Sequence, residues 1–279
     1  MIAGAQPAAA PASPWDIAFG AAVMSDYNFR GITQSNHHPS GSAYFEPRYN
    51  VSPNLQLYAG VAATGVDLAQ KPAAEIDLYG GIRPTFGPLA LDIGAIYYWY
   101  PSGELILYPN GNISLANQSY WEVYGKAVYT INDMFSVGAN VYGFSSWLNT
   151  GASGYYASAT AKANLPALAN GVTWSVSGAI GHLDLGSTKI APPVYAISIP
   201  LPDYETWNLG LTFTYKSFAL DLRYYDTNLT KGECNLLTGD PGAVFVGDAT
   251  PFNNGNVSKW CGAAFVAKFT ADVTLASAK

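Results

Sequence analysis

The chain has 279 residues, of which 49% are hydrophobic, 14% aromatic and only 11% charged, with a net charge of −6. A soluble domain of this length would carry about 25% charged residues, so the composition argues against one. The acidic balance also excludes a nucleic-acid-binding surface, which has to be basic. Because no apolar run approaches the roughly 18 residues of a membrane-spanning helix, the 20 Tyr and 28 Gly residues favour a membrane β-barrel.

The chain divides into three predicted parts. Residues 1–13 contain neither the basic nor the apolar region of an intact signal peptide, and we interpret them as a flexible N-terminal segment. Residues 14–270 are predicted to form a transmembrane β-barrel, and residues 271–279 a C-terminal tail. Export to the bacterial outer membrane is therefore inferred from the barrel pattern and not from a signal.

About twelve segments of the barrel region alternate apolar and polar residues at period two, which predicts strands long enough to cross a bilayer when tilted. In chain order they are 15–27, 44–51, 55–66, 75–83, 89–99, 119–130, 135–145, 155–164, 172–182, 206–215, 218–228 and 261–270.

The clearest pattern is the hairpin at residues 206–228. A two-residue turn places Tyr215 opposite Phe218 and Leu211 opposite Leu222, so the apolar faces of both strands coincide. That face is aliphatic in the middle and aromatic at both ends, while the other face is polar. A lipid-facing hairpin has this pattern, although a soluble β-sandwich could also use it.

Loop lengths decide between these two classes. The connections after even-numbered strands are short, and those after odd-numbered strands are predicted to be long. An outer-membrane barrel sorts its connections in this way, with short periplasmic turns and long extracellular loops. We therefore predict an all-β, antiparallel up-and-down barrel of about twelve strands with both termini in the periplasm.

Most charged side chains of the predicted strands face inward, where they require partners or water. One interpretation is a wetted lumen whose charges select solutes; the other is a narrow barrel that salt bridges fill. The candidate lumen residues are Glu46, Arg48, Glu75, Asp77, Arg83, Asp92, Glu122, Lys126, Lys162, Asp221, Arg223 and Lys268.

A second candidate site lies where the first strand ends, at Asp26 and Arg30. Arg30 could gate the mouth or bind anions there. We favour the alternative, in which Arg30 anchors the first loop by pairing with Asp26, because the arginine fork suits a carboxylate.

Cys234 and Cys261 both lie outside the strong strand patterns. An even pair in an exported chain favours a disulfide, here closing the last long loop. No metal site is expected, because His37, His38 and His182 lie in other segments.

A membrane-embedded hydrolase is the competing class of function, and it needs a histidine beside a serine. His182 lies near Ser175 and Ser177 but on the opposite parity, and His37-His38 lies near Ser35 and Ser40. No G-x-S-x-G motif is present, so we expect no enzyme. A third class is a structural or adhesive barrel that acts through the long loop at residues 227–259.

Five motifs spread over the chain resemble one protein family. They are SDYNFRGITQS at 25–35, EIDLYGG at 75–81, YYWYP at 97–101, YWEVYG at 120–125 and RYYDT at 223–227. The first resembles the opening signature of the proteobacterial TorF-family (Gcw-chp) outer-membrane porins.

The resemblance implies an outer-membrane channel for small hydrophilic solutes or ions, without a cofactor, surrounded by outer-membrane lipid and lipopolysaccharide. The oligomeric state stays open. One feature departs from the pattern: outer-membrane barrels commonly end in an aromatic residue, whereas ten residues follow Phe269. Either the tail is additional or the last strand ends later than predicted.

Overall fold

The computed structural model describes residues 14–168, 171–189, 198–247 and 254–275. Twelve antiparallel strands close into a barrel. The strands are β1 (Trp15–Met24), β2 (Ser40–Ser52), β3 (Leu55–Thr64), β4 (Glu75–Phe86), β5 (Leu89–Trp99), β6 (Tyr120–Thr130), β7 (Phe135–Trp147), β8 (Ala152–Leu165), β9 (Thr173–Leu185), β10 (Tyr204–Tyr215), β11 (Phe218–Thr227) and β12 (Ala264–Thr274).

Each strand pairs with its neighbours in sequence, and β1 pairs with β12 to close the barrel, with Val23 opposite Phe269. The hairpin of β10 and β11 has the predicted register, with Tyr215 opposite Phe218 and Leu211 opposite Leu222. Its turn begins at Lys216, which adopts a positive φ of 54°. The predicted fold class and strand number are confirmed.

The outer face of the barrel carries two aromatic belts with aliphatic residues between them. Phe86 and Phe218 are exposed near the short turns, and Trp121 and Phe265 are exposed near the long loops. Between these belts the exposed residues are aliphatic, as at Leu222. Apolar surface flanked by aromatic residues at both ends matches the lipid-facing band of an outer-membrane barrel.

Several strand boundaries differ from the predicted ones, and two of the differences change the predicted organisation. β12 continues to Thr274, so the barrel extends beyond residue 270 and the predicted tail loses its first four residues. Alternation continues there, since Asp272 lies opposite Gly20 on the interior face and Val273 opposite Phe19 on the lipid face. The connection between β7 and β8 is also short, because these strands run further than predicted and leave only residues 148–151 between them. Residues 1–13 and 276–279 lie outside the described residues.

We name the connections at the long-loop end L1 (25–39), L2 (65–74), L3 (100–119), L4 (148–151), L5 (186–203) and L6 (228–263), and this end is extracellular by the barrel rule. Within the described ranges, no helix has both the length and the apolar character that crossing a membrane requires. L6 contains helix α1 (Lys231–Thr238), which begins with a capping box between Thr230 and Glu233. Three two-residue ribbons join Asn28–Phe29 to Ile32–Thr33, Ile106–Leu107 to Ile113–Ser114, and Val244–Phe245 to Asn256–Val257.

The buried core lies inside the extracellular half of the barrel, not across its whole height. Ile32 of L1 and Trp260 of L6 pack there with inward side chains of the strands, such as Tyr120, Phe144 and Leu183. The barrel is therefore filled at one end.

Candidate functional site: the lumen and the loop that closes it

The half of the lumen next to the short turns is a water-accessible vestibule. One cavity of about 460 Å³ is lined by Gln56, Arg83 and Lys126 among others. A second, of about 450 Å³, is lined by Lys162 and Arg223 among others. We refer to the two cavities together as the vestibule.

Arg83 is the centre of one group of vestibule charges. Its guanidinium donates to both carboxylate oxygens of Glu46, at 2.8 and 3.1 Å, and lies 3.5 Å from Asp92. The same guanidinium stacks 3.6 Å from the centre of the Tyr58 ring. Lys126 approaches Asp92 at 3.7 Å. Acids and bases are thus interleaved around the wall, as an aqueous lumen permits.

Arg223 is the centre of a second group on the opposite wall. It donates to Asp221 at 2.9 Å, to the Asn208 side chain at 2.7 Å and to the Ser177 hydroxyl at 2.8 Å. Lys162, on β8, lines the same cavity and is exposed to it.

L1 folds into the extracellular half of the lumen instead of extending into solvent. Tyr27 donates to the Glu75 carboxylate of β4 at 2.5 Å, and Tyr100 of L3 donates to the other oxygen of Glu75 at 2.7 Å. Burial, and then the Glu75 charge, raise the pKa of both phenols, so they remain protonated donors. Asp26 shapes the loop from within by accepting hydrogen bonds from Thr33 at 2.5 Å and Ser35 at 2.9 Å.

Arg30, at the tip of L1, anchors the loop to the far wall. Its guanidinium donates to both carboxylate oxygens of Glu122 on β6, at 2.8 and 2.7 Å. It also lies over the rings of Tyr142 and Tyr156, at 5.0 and 4.5 Å. The arginine is an anchor as expected, but its partner is Glu122 and not Asp26. Burial by itself lowers the pKa of Arg30, yet the Glu122 carboxylate outweighs it and holds that pKa above the usual value.

The backbone conformation of L1 explains why Arg30 pairs with Glu122 and not with Asp26. Asp26 and Arg30 lie four residues apart, but Arg30 (φ 51°) and Gly31 (φ 84°) are both left-handed, so the chain reverses and projects the arginine across the lumen. A Cβ at position 31 would overlap Thr227 Cγ2 and lie 2.7 Å from Thr206 Oγ1. L1 therefore reaches from β1 to the β10–β11 wall inside the barrel.

L6 covers L1 from the outside. The Thr33 amide donates to the Trp260 carbonyl at 2.9 Å, and the Trp260 indole donates to the Asn36 side chain at 3.0 Å. The predicted disulfide between Cys234 and Cys261 is confirmed and ties α1 to the residue after Trp260. A covalently closed loop thus lies over the loop that fills the lumen.

All twelve predicted lumen residues lie on interior positions of the strands, but the structure separates them into two groups. Glu75, Asp77 and Glu122 lie in the half that L1 fills, and Glu122 is completely buried. The others line or adjoin the vestibule; their role in solute selection stays a prediction.

The sequence did not predict that L1 fills the extracellular half of the lumen as a plug. It also missed the buried tyrosines that surround L1, such as Tyr100 and Tyr204. The available signal was the first motif: a loop with Tyr, Phe and Ile beside a charged pair is too apolar for a solvated loop.

The residues considered for a hydrolase do not assemble. On β9, His182 lies opposite Ala157, on the lipid-side parity, whereas Ser177 faces the lumen with Lys162. The Ser35 hydroxyl oxygen lies 2.9 Å from an Asp26 carboxylate oxygen and 2.7 Å from the His38 carbonyl oxygen, so its single proton is directed to these acceptors and not to an imidazole. In the part of the chain that the structure describes, no group of three or more His, Cys, Asp or Glu side chains is placed to hold a metal ion.

Comparison with known proteins identifies the family. A family model described as "Bacterial protein of unknown function (Gcw_chp)" matches residues 8–252. The chain belongs to the Gcw_chp family. No curated protein matches it.

Among solved structures, this Gcw_chp member is similar to a membrane protein from work on in-meso crystallization, with a TM-score of 0.52 and 11% identity over 94% of this chain and 84% of that one. It is also similar to an outer membrane channel from Pseudomonas putida F1 (TM-score 0.48, 11% identity, 98% and 100% covered). The P. putida toluene transporter TodX is a third (TM-score 0.43, 12% identity, 95% and 90% covered). The closed twelve-stranded barrel of the described residues, with its exposed aromatic belts and aliphatic band, agrees with the predicted outer-membrane location.

Proposed function

We propose that the protein is an outer-membrane channel for small hydrophilic solutes or ions, closed at rest by L1 and conducting when L1 leaves the lumen. The observation that carries the proposal is the chemistry of the wall behind L1. Beside apolar residues such as Phe144 and Leu183, this wall carries many phenols and carboxylates, which water can solvate. They include Glu75, Tyr98, Tyr120, Glu122, Tyr142, Tyr156 and Tyr204.

A plug that never moved could pack against aliphatic residues without losing stability. Burying the Arg30–Glu122 ion pair removes two charges from water, and an apolar replacement of such a pair is often neutral or stabilising. The Arg30–Glu122 pair suits a plug that moves. Glu122 and the tyrosines can be buried against L1 in the closed state and hydrated by water in the open state. A twelve-stranded barrel is also wide enough to lie between filled small barrels and open porins.

The proposed open state prefers cations. In the vestibule the interior charges nearly balance, with Arg48, Arg83, Lys126, Lys162, Arg223 and Lys268 against Asp16, Glu46, Asp92, Asp221 and Asp272. When L1 leaves, Arg30 leaves with it. The described strands then present Glu75, Asp77 and Glu122 at the extracellular half, and the nearest basic interior residue is Lys268, which lines a cavity beside Asp26 and Tyr27. The acidic excess of this half attracts cations.

The test is conductance in planar bilayers under a salt gradient. We expect infrequent openings of the wild-type barrel, with a reversal potential that favours cations. A folded barrel that stays closed to ions at every voltage would overturn the channel. It would favour a structural or adhesive barrel, a role that the sealed extracellular half would suit equally well.

A further inference from the structure

We propose that protonated His37 joins L1 to L6, so that acid on the extracellular side holds the channel closed. This inference rests on the proposed function, because it names how the same plug is regulated. The feature that carries it is the position of one imidazole between two groups that only accept hydrogen bonds.

The His37 ring contacts one acceptor through each nitrogen. Nδ1 lies 3.1 Å from the Asp26 carboxylate within L1, and Nε2 lies 3.2 Å from the Lys259 carbonyl oxygen in L6. A neutral imidazole has a single N–H, whereas the imidazolium has two. Only the protonated ring therefore makes both hydrogen bonds and links the two loops.

Loss of the proton breaks one of these bonds selectively. The carboxylate of Asp26 is the stronger acceptor, so the remaining N–H stays on Nδ1. The lone pair of Nε2 then faces the Lys259 carbonyl oxygen, and this contact becomes repulsive. The deprotonated ring stays on L1 and releases L6. Because the His37 side chain is 40% exposed, it exchanges its proton with extracellular water.

The other charged groups near the ring lie on three loops. Asp26 on L1 favours the imidazolium and is held in place by Thr33 and Ser35. Lys259 on L6 carries a positive side chain, which opposes it. On the outer side, His38 lies 3.4 Å from Asp67 of L2, and both side chains are exposed. Asp67 also accepts a hydrogen bond from the Asn36 side chain at 3.2 Å. His38 is thus a neighbouring histidine with the same chemistry but outside the seam between L1 and L6.

Deprotonation of His37 shifts the opening equilibrium only in part, because the other hydrogen bonds of the seam between L1 and L6 do not titrate. The Thr33–Trp260 and Trp260–Asn36 hydrogen bonds have amide and indole donors. Histidines titrate between about pH 5 and 8. One charge-assisted hydrogen bond with a partly exposed donor changes an opening equilibrium roughly three- to tenfold.

The first experiment measures hydrogen exchange of residues 25–39 in detergent-solubilised protein at pH 5.5 and 8, corrected for intrinsic exchange. We expect the opening of this segment in the wild type and in His38→Gln to rise roughly three- to tenfold at pH 8. We expect no change with pH in His37→Gln, whose side chain does not titrate. A wild-type seam that opens equally at both pH values overturns the inference without any variant. So does a pH effect that persists in His37→Gln.

Conductance separates this inference from the proposed function. The extracellular side is varied between pH 5.5 and 8, and open probability is expected to fall with acid in the wild type and in His38→Gln but not in His37→Gln. A barrel that never conducts, yet has a pH-dependent seam, overturns the channel and leaves the His37 link standing. A barrel that conducts with a pH-independent seam overturns the link and leaves the channel standing.

Discussion

Replacing Arg30 by alanine should release L1. The side chains of Arg30 and Glu122 are 6% and 0% exposed. Removing one partner of such a buried ion pair costs about 3–5 kcal/mol, because the Glu122 charge then remains buried with only the Tyr98 hydroxyl, at 3.3 Å, donating to it. At 1.36 kcal/mol per factor of ten, the released state of L1 becomes between about 10² and 10⁴ times more populated. The lost contacts with Tyr142 and Tyr156 are part of this cost and are not added to it.

The assay is open probability in planar bilayers, with two comparison variants. In Lys126→Ala, the lost contact with Asp92 is longer, at 3.7 Å, and Lys126 is 33% exposed, so the expected change is under about 1 kcal/mol. The double variant Arg30→Ala/Glu122→Gln should leak less than Arg30→Ala alone, because it leaves no orphan carboxylate. If Arg30→Ala opened no more often than Lys126→Ala, the ion pair would not be what holds the plug.

Three further substitutions test other parts of the account. Gly31→Ala should raise the open probability, because the added Cβ overlaps Thr227 Cγ2. Gly87 also has a positive φ, but a Cβ there meets nothing within 4 Å, so Gly87→Ala should leave the open probability unchanged. Equal open probabilities of the two variants would contradict the close fit of L1. Cys234→Ser/Cys261→Ser should lower the stability of folded L6 by about 3–4 kcal/mol, because the disulfide joins residues 27 positions apart. We expect faster proteolysis of L6 while the barrel remains intact and heat-modifiable. Unchanged proteolysis would show that the disulfide does not hold L6 over L1. Arg83→Ala should shift the reversal potential further towards cations by removing one positive charge from the vestibule, and an unchanged potential would place the ion path elsewhere.

The barrel was predictable from sequence because its determinants are local. Period-two alternation sets which residues face lipid, and a two-residue turn fixes the register, so the pairing of Leu211 with Leu222 follows from the sequence alone. The end of β12 was not predictable from a terminal aromatic residue, since the strand continues through Asp272 to Thr274. Its alternation was the better guide.

The site was less predictable because it depends on contacts distant in sequence. Arg30 and Glu122 are separated by 92 positions, and nothing local distinguishes Glu122 from Asp26 as the partner. Interior parity identified Glu122 as facing inward but gave no information on whether water or L1 would fill the space beside it. Loops that fold into a barrel escape alternation rules, which apply only to strands.

We propose that L1 is a movable plug in a conducting barrel. The most direct test is the single-channel conductance of a barrel in which residues 28–35 are replaced by a short Gly-Ser linker, with folding checked by heat-modifiable migration. The account predicts a steadily open, cation-preferring channel, because the wall exposed by the deletion carries Glu75, Asp77 and Glu122. A folded deletion variant that conducts no more than the wild type would contradict it.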